Sequence, residues 1–113
     1  MSNKIVEDAI RVASKHYEEL VRGNREEWLK TIVSSIRRQA DVRGSSIDFW
    51  WRTGRKLAEK GVTYKFQRVD RIEKDRVKLF FLRVDKTGKQ MGMPVPIHLV
   101  REDNKWWVNQ PSY

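Results

Sequence analysis

The sequence predicts one α+β domain over residues 1–113, with three N-terminal helices packed on one face of a curved, four-stranded antiparallel sheet. Apolar residues recur at helical spacing up to Lys60 and at alternate positions from Val62 onward. Turn-forming residues separate the segments. Because all helices precede all strands, the chain is expected to segregate them into layers. A length of 113 residues suits one domain with one core.

Three segments carry the helical pattern. The first helix is predicted over residues 4–22, where an apolar stripe recurs every three or four positions: Ile5, Ala9, Ala13, Tyr17 and Leu20. Gly23 is placed to end that helix. Asn24 and Glu27 form a capping box for a second helix, predicted to run to about Ala40. The third helix is predicted from Ile47 to Lys60.

Four strands are predicted after Gly61. The first begins at Val62, the second runs from Val77 to Val84, the third from about Gln90 to Arg101, and the last from Lys105 to Gln110. Pro94 and Pro96 cannot donate a main-chain hydrogen bond, so the start of the third strand is expected at a sheet edge or bulge.

The composition excludes several classes of site. The chain has no cysteine, which excludes disulfides, thiolate metal sites and a cysteine nucleophile. No apolar stretch approaches membrane-span length, so we expect a soluble cytoplasmic protein without a membrane partner. The two histidines lie far apart and the glycines are scattered, which predicts neither a metal site nor any other cofactor.

The net charge of +9 raises the question of nucleic acid. The surplus of lysine and arginine lies in the third helix and the first hairpin, where acidic residues are interleaved. A solvated, ion-paired surface is therefore expected in preference to a nucleic-acid groove. The alternative keeps a candidate anion-binding set on the third helix: Arg52, Arg55, Lys56 and Lys60.

Two stretches carry a resemblance to a known superfamily. "HYEELVRGNREEW" resembles the first-helix region, and "IHLVREDNKWWV" the closing hairpin, of the nuclear transport factor 2-like superfamily, the cystatin-like cone. The similarity is greatest to small prokaryotic members of unknown function, and "DRVKLFFLRVDKTGK" fits the strand before that hairpin. The resemblance implies the cone fold but no single activity, because this fold hosts many.

Enzymes of this superfamily, dehydratases and isomerases, work inside the cone with carboxylates, histidines and tyrosines. The candidate polar groups here are His16 and Asp48, although a structural histidine and a carboxylate that favours the helix dipole suffice to explain them. No catalytic residue is assigned. The large aromatic residues either line an apolar pocket or fill it: Tyr17, Trp28, Trp50, Trp51, Tyr64 and Phe66.

The outer face of the sheet offers a candidate dimer interface. If Trp106 and Val108 point inward, the alternation of strand side chains sends Trp107 outward. The same alternation assigns six residues to the outer face: Phe80, Leu82, Val84, His98, Val100 and Trp107. Monomers seldom expose so large an apolar patch. The resemblance implies a second copy as the usual cover, with Phe80, Leu82 and His98 expected beside Trp107.

Three hypotheses follow. The leading one is a non-catalytic homodimer whose cone binds a small apolar ligand. The alternatives are a lyase or isomerase that uses the cone pocket, and a nucleic-acid-binding protein that uses the basic surface.

Overall fold

The computed structural model describes residues 3–113; residues 1 and 2 of the predicted domain lie outside this range. The described chain forms four helices and then four strands: α1 Asn3–Arg22, α2 Arg25–Leu29, α3 Ser34–Arg37, α4 Ser46–Glu59, β1 Thr63–Glu73, β2 Arg76–Val84, β3 Val95–Glu102 and β4 Lys105–Gln110. The strands pair antiparallel in the order β1-β2-β3-β4. The predicted α+β fold class, with helices packed on an antiparallel sheet, is confirmed.

The prediction of one continuous second helix is wrong. Between α2 and α3 the chain extends and forms a parallel bridge from Ile32 to Val108 of β4. The amide of Val108 donates to the carbonyl of Thr31 at 2.7 Å, and the amide of Val33 donates to the carbonyl of Val108 at 2.9 Å. Three consecutive β-branched residues favour this extended conformation over a helix.

The third strand is shorter than predicted. Gln90 forms only an isolated bridge with Val84, and β3 begins at Val95. On the β4 side its pairing begins at His98, so Pro96 pairs with Phe80 of β2 but has no β4 partner. This agrees with the predicted edge position. Asp103 and Asn104 then turn the chain into β4 with φ of 55° and 60°, as a two-residue type I′ hairpin turn requires.

The core lies between α1 and the inner face of the sheet. Ala9, Ala13, Tyr17 and Leu20 of α1 are buried. Opposite them lie the buried side chains that the alternation predicted to point inward: Val77, Leu79, Phe81, Ile97, Leu99, Trp106 and Val108. The predicted sheet faces are therefore confirmed.

Helices α1 and α4 approach closely at Gly54. A Cβ atom added there would lie 2.7 Å from both terminal methyl groups of Leu20, which is fully buried. Glycine at this position therefore allows the two helices to pack at short range.

Among the helices of residues 3–113, none combines the length and apolar character needed to cross a bilayer. The cytoplasmic location stays a prediction.

Candidate functional site

His16 lies at the centre of a buried hydrogen-bond network. Its Nδ1 atom lies 2.7 Å from Oγ1 of Thr31, and its Nε2 atom lies 2.6 Å from the hydroxyl of Tyr113. The indole Nε1–H of Trp28 donates to His16 Nε2 at 3.2 Å and to the Tyr113 hydroxyl oxygen at 3.3 Å. All four residues are buried.

The proton positions follow from the partners. Thr31 donates its hydroxyl proton to the carbonyl of Trp28 at 2.6 Å, so its oxygen is free to accept from His16. We therefore assign the His16 proton to Nδ1 and leave Nε2 as the acceptor for Tyr113. Every hydrogen-bonding atom of the imidazole is satisfied by the protein itself.

Burial also determines the charge of His16. It lowers the imidazole pKa from 6.5 to about 3, because transfer from water disfavours the charged form. An efficient general base has a pKa near the working pH. His16 is therefore neutral at physiological pH and suited to a structural role.

The aromatic residues predicted for the cone contact one another. Tyr17 stacks on Tyr64 with ring centroids 4.3 Å apart, and both Tyr17 and Phe66 contact Phe81. The ring centroids of Trp51 and Trp28 lie 5.0 Å apart. Trp50 packs against the same core. These contacts favour the alternative in which the rings fill the cone.

Tyr113 closes this aromatic cluster. Its ring stacks on His16 and meets Tyr17 and Tyr64 edge-on. Its main-chain oxygen accepts from the hydroxyl of Tyr64 and the guanidinium of Arg83. Burial raises the pKa of Tyr64 to about 12, so its hydroxyl remains a proton-bearing donor at neutral pH.

Asp48 lies elsewhere and does not converge with His16. Its carboxylate accepts from the amide of Gly44 at 3.1 Å and lies 3.4 Å from Arg52. The amide of Asp48 is in turn bound by the capping hydroxyl of Ser45. Its contacts are those of a residue that stabilises the start of α4.

Two of the four cations predicted as an anion-binding set on the third helix make contacts within the fold. Arg55 donates to the carbonyls of Leu20 and Val21 at 2.8 and 3.0 Å, so it caps the end of α1. Arg52 pairs with Asp48. Lys56 and Lys60 are exposed.

A cleft of about 330 Å³ opens between α1 and β4, and we call it the α1–β4 cleft. Its apolar lining comes from Ile5, Val12, Trp106 and Trp107, and Asp8, Thr31 and Asn104 also line it. Five cations complete the lining: Arg11, Lys15, Lys30, Arg101 and Lys105. The cleft is therefore apolar with a strongly positive rim.

The cations of the α1–β4 cleft differ in their pairing. Arg11 binds Asp8, while Lys15 and Lys30 both contact Glu27. Within residues 3–113, neither Arg101 nor Lys105 has a carboxylate within salt-bridge distance. Arg101 is held opposite Trp106 across the β3–β4 ladder. Arg101 thus stands beside the apolar wall that Trp106 forms, whereas strand alternation places Lys105 on the side of Trp107, opposite Glu102.

The outer face of the sheet divides into two parts. The apolar end comprises Phe80, Leu82, Val84 and Pro96, all half-buried. The cationic end comprises Arg71, Arg76, Lys78 and His98, which surround a cavity of about 180 Å³ together with Glu73, Val77 and Leu99.

The expected neighbours of Trp107 are wrong in part. Trp107 pairs with Val100, and Val100 pairs with Arg76, so Phe80 and Leu82 lie further along the sheet. The guanidinium of Arg37 lies 5.3 Å from the Trp107 ring. The Trp107 indole donates to the carbonyl of Glu102 at 3.0 Å. The six outward residues do share one face, but they do not form one apolar patch.

Sequence reasoning missed several residues of these sites. Thr31 was assigned to a helix interior, and Tyr113 had no assigned role. The cleft cations Arg101 and Lys105 come from either side of a turn that looks like any solvated hairpin. Only their placement opposite α1 distinguishes them, and no local pattern shows that.

Comparison with known proteins supports the fold. No family model matches the sequence, and no curated protein does. Three solved structures align over most of their length. A cystatin-like protein of unknown function from Nostoc punctiforme is 13% identical and has a TM-score of 0.60, with 89% of this chain and 83% of that chain covered.

The other two structures belong to the nuclear transport factor 2-like group. A dehydratase candidate from Streptomyces avermitilis is 12% identical with a TM-score of 0.64, covering 96% of this chain and 93% of that one. A protein of unknown function from Shewanella oneidensis is 10% identical with a TM-score of 0.61, covering 92% and 93%. The chain therefore has the cystatin-like, nuclear transport factor 2-like fold that the sequence resemblance implied.

Proposed function

We propose that this chain is a non-catalytic nuclear transport factor 2-like domain that binds a small amphipathic ligand in the α1–β4 cleft. The observation that carries the proposal is the cleft itself, which joins an apolar wall to cations without carboxylate partners. Its volume of about 330 Å³ falls in the range of small-molecule sites. The cone interior is a weaker candidate for the ligand because its aromatic rings already contact one another.

The chemistry of the cleft selects a ligand with an apolar body and one carboxylate. The body would pack against Ile5, Val12 and Trp106. The carboxylate would lie within reach of Arg101, which pairs with Trp106 across the ladder. Hydrogen bonds between ionised groups contribute about 1.5–3 kcal/mol each. Removing the charge of the ligand should therefore weaken binding by about tenfold or more.

A matched pair of probes tests this proposal. Octanoate and octanamide have the same chain, but only octanoate is charged. Calorimetric titration should show saturable octanoate binding and weaker octanamide binding. Trp106 and Trp107 should report the same event as a change in fluorescence.

Two variants sharpen the test. Arg101→Gln should weaken octanoate binding by about tenfold and leave octanamide binding unchanged. Lys60→Gln removes an exposed cation outside the cleft and is the control. Equal binding of the two probes, or equal effects of the two variants, would contradict the proposal.

A second candidate function is self-association through the apolar end of the outer face. Phe80, Leu82 and Val84 form a half-buried row on one face of β2. A second copy related by a two-fold axis would bury this row against itself. Because the cationic ends carry like charges, added salt should strengthen the association by screening their repulsion.

Sedimentation velocity at tens of micromolar protein tests the dimer. We expect the unmodified chain to sediment as a dimer and Leu82→Glu as a monomer. Lys56→Glu makes a charge change at an exposed position of α4, away from this face, and should not cause the same loss. A monomeric unmodified chain in both low and high salt would refute self-association.

The enzyme alternative is not favoured. A lyase or isomerase needs a base in the pocket with a suitable pKa. Burial holds the pKa of His16 far below that range, and Asp48 lies at the start of α4. The nucleic-acid alternative is weakened because Arg55 and Arg52 already make contacts within the fold.

A further inference from the structure

The cationic end of the outer face gathers basic side chains from three strands. The ladder places Arg71 of β1 opposite Lys78 of β2, and Lys78 opposite His98 of β3. Arg76 lies two residues before Lys78 on the same face of β2, as strand alternation requires. These four residues surround the cavity of about 180 Å³, which Glu73, Val77 and Leu99 also line.

The nearby carboxylates neutralise this cluster only in part. Asp70 is shared between Arg68 at 3.1 Å and Lys78 at 3.5 Å. Glu73 lies opposite Arg76 in the β1–β2 ladder, where the pairing is between the main chains. In the described chain, neither Arg71 nor Arg76 has a carboxylate within salt-bridge distance.

Like charges therefore crowd together at this place. Opposed like charges on neighbouring strands are destabilising. His98 responds to the crowding: burial lowers its pKa, and Lys78, Arg71 and Arg76 lower it further, against the opposing effect of Asp70. An anion among these groups would remove the repulsion between them.

We propose that Arg71, Arg76, Lys78 and His98 form a binding site for a phosphate group. Two arginines supply planar forks of donors that match phosphate oxygens, and Lys78 adds a third charge. The cavity of about 180 Å³ leaves room for a phosphate group among these donors. A tetrahedral dianion uses more of these convergent donors than a single carboxylate does.

The surroundings also distinguish a phosphate site from a surface that stacks nucleobases. Two aromatic rings of this face lie near the cluster: Trp107, which has the Arg37 guanidinium 5.3 Å from its centroid, and Phe80. The guanidinium of Arg68 lies 4.5 Å from the Phe80 centroid and the ammonium of Lys78 lies 5.1 Å from it. Because cations already contact both rings, the rings are poorly placed to stack a base.

Titration with inorganic phosphate tests the site. Nuclear magnetic resonance of the His98 imidazole, at constant ionic strength set with sodium chloride, should show saturable binding and a rise of the His98 pKa. His16 serves as an internal reference because it is buried away from solvent. Arg76→Gln should weaken phosphate binding by about tenfold or more. Arg43→Gln changes an exposed cation elsewhere and should leave the binding constant unchanged.

A second arm identifies the source of the phosphate. A single-stranded oligonucleotide that binds no tighter than phosphate indicates a free or small-molecule phosphate. Tighter binding that falls steeply with salt indicates a nucleic-acid backbone. No saturable change of His98 with phosphate, or equal phosphate affinity in Arg76→Gln and the unmodified chain, would overturn the site.

Discussion

Acid should destabilise this fold through His16. Its pKa is about 3 in the folded chain and 6.5 for an exposed histidine, so between these values the unfolded state binds a proton that the folded state does not. The free energy of unfolding is therefore highest above pH 6.5, where His16 is neutral in both states. It decreases as the pH falls toward 3. Each unit between the two pKa values corresponds to about 1.4 kcal/mol, which gives a loss of about 2 kcal/mol by pH 5 and about 5 kcal/mol near pH 3.

Urea unfolding at pH 7.5 and pH 5.0 measures the effect. We compare the unmodified chain with His16→Gln, which keeps a donor and an acceptor but does not titrate. The free energy of unfolding should fall by about 2 kcal/mol more in the unmodified chain than in the variant. The pKa values of Glu27, Asp70 and Asp85 are lowered by their hydrogen-bond partners, so these carboxylates titrate mainly below this interval and in both proteins.

His98→Gln is the matched control, because it removes the other histidine and leaves the buried one. It should retain most of the fall in stability between the two pH values. Equal pH dependence in the unmodified chain and His16→Gln would refute the reasoning. If His16→Gln does not fold, the His16 imidazole resonances decide instead: protonation above pH 5 in the folded chain would refute it.

The remaining predictions concern packing. Tyr113→Phe removes the donor to His16 Nε2 and should lower the free energy of unfolding by about 1–3 kcal/mol, measured by urea denaturation; an unchanged midpoint would show that the hydroxyl contributes nothing. Gly54→Ala should destabilise by about 1 kcal/mol or more, because overpacking against Leu20 outweighs the better helix propensity of alanine. The control Lys56→Ala lies at an exposed position of the same helix and should change stability by less than about 0.5 kcal/mol. A stabilised Gly54→Ala would mean that α1 and α4 can separate without cost.

The sheet was the most predictable part of the fold. Strand side chains alternate, so the local pattern places Leu79 and Phe81 on one face and Phe80 on the other. Which of the two faces is buried was implied by the family resemblance. The prediction of one continuous second helix failed because of a long-range contact. Residues 24–40 carry apolar spacing that suits a helix, but Thr31 and Val33 pair with Val108. A prediction made from residues 24–40 alone does not include Val108 and therefore cannot detect this pairing.

The candidate sites were predictable only as single residues. His16 was identified as a polar group near the apolar stripe, but its role depends on Thr31 and on Tyr113, which lies 97 positions away. The outward direction of Trp107 was predictable as well. Its neighbours depend on the register between strands. A shift of two residues keeps every side chain on its face, so the hydrophobic pattern alone does not select the register and the turn geometry must.

The two proposed ligand sites differ from the His16 network in what ligand binding would cost. A reaction at a neutral, fully hydrogen-bonded histidine would first have to displace Tyr113 or Thr31, and each displacement would leave a buried polar atom without a partner at a cost of about 1–3 kcal/mol. The cations of the α1–β4 cleft and of the cationic end face no such cost, because solvent reaches them before a ligand does. Arg101, Lys105, Arg71 and Arg76 can bind an anion without rearranging the core. The same residues offer no acceptor for a proton, since arginine and lysine remain charged at neutral pH. A fold with this arrangement is suited to hold anionic ligands on its periphery while its interior stays closed.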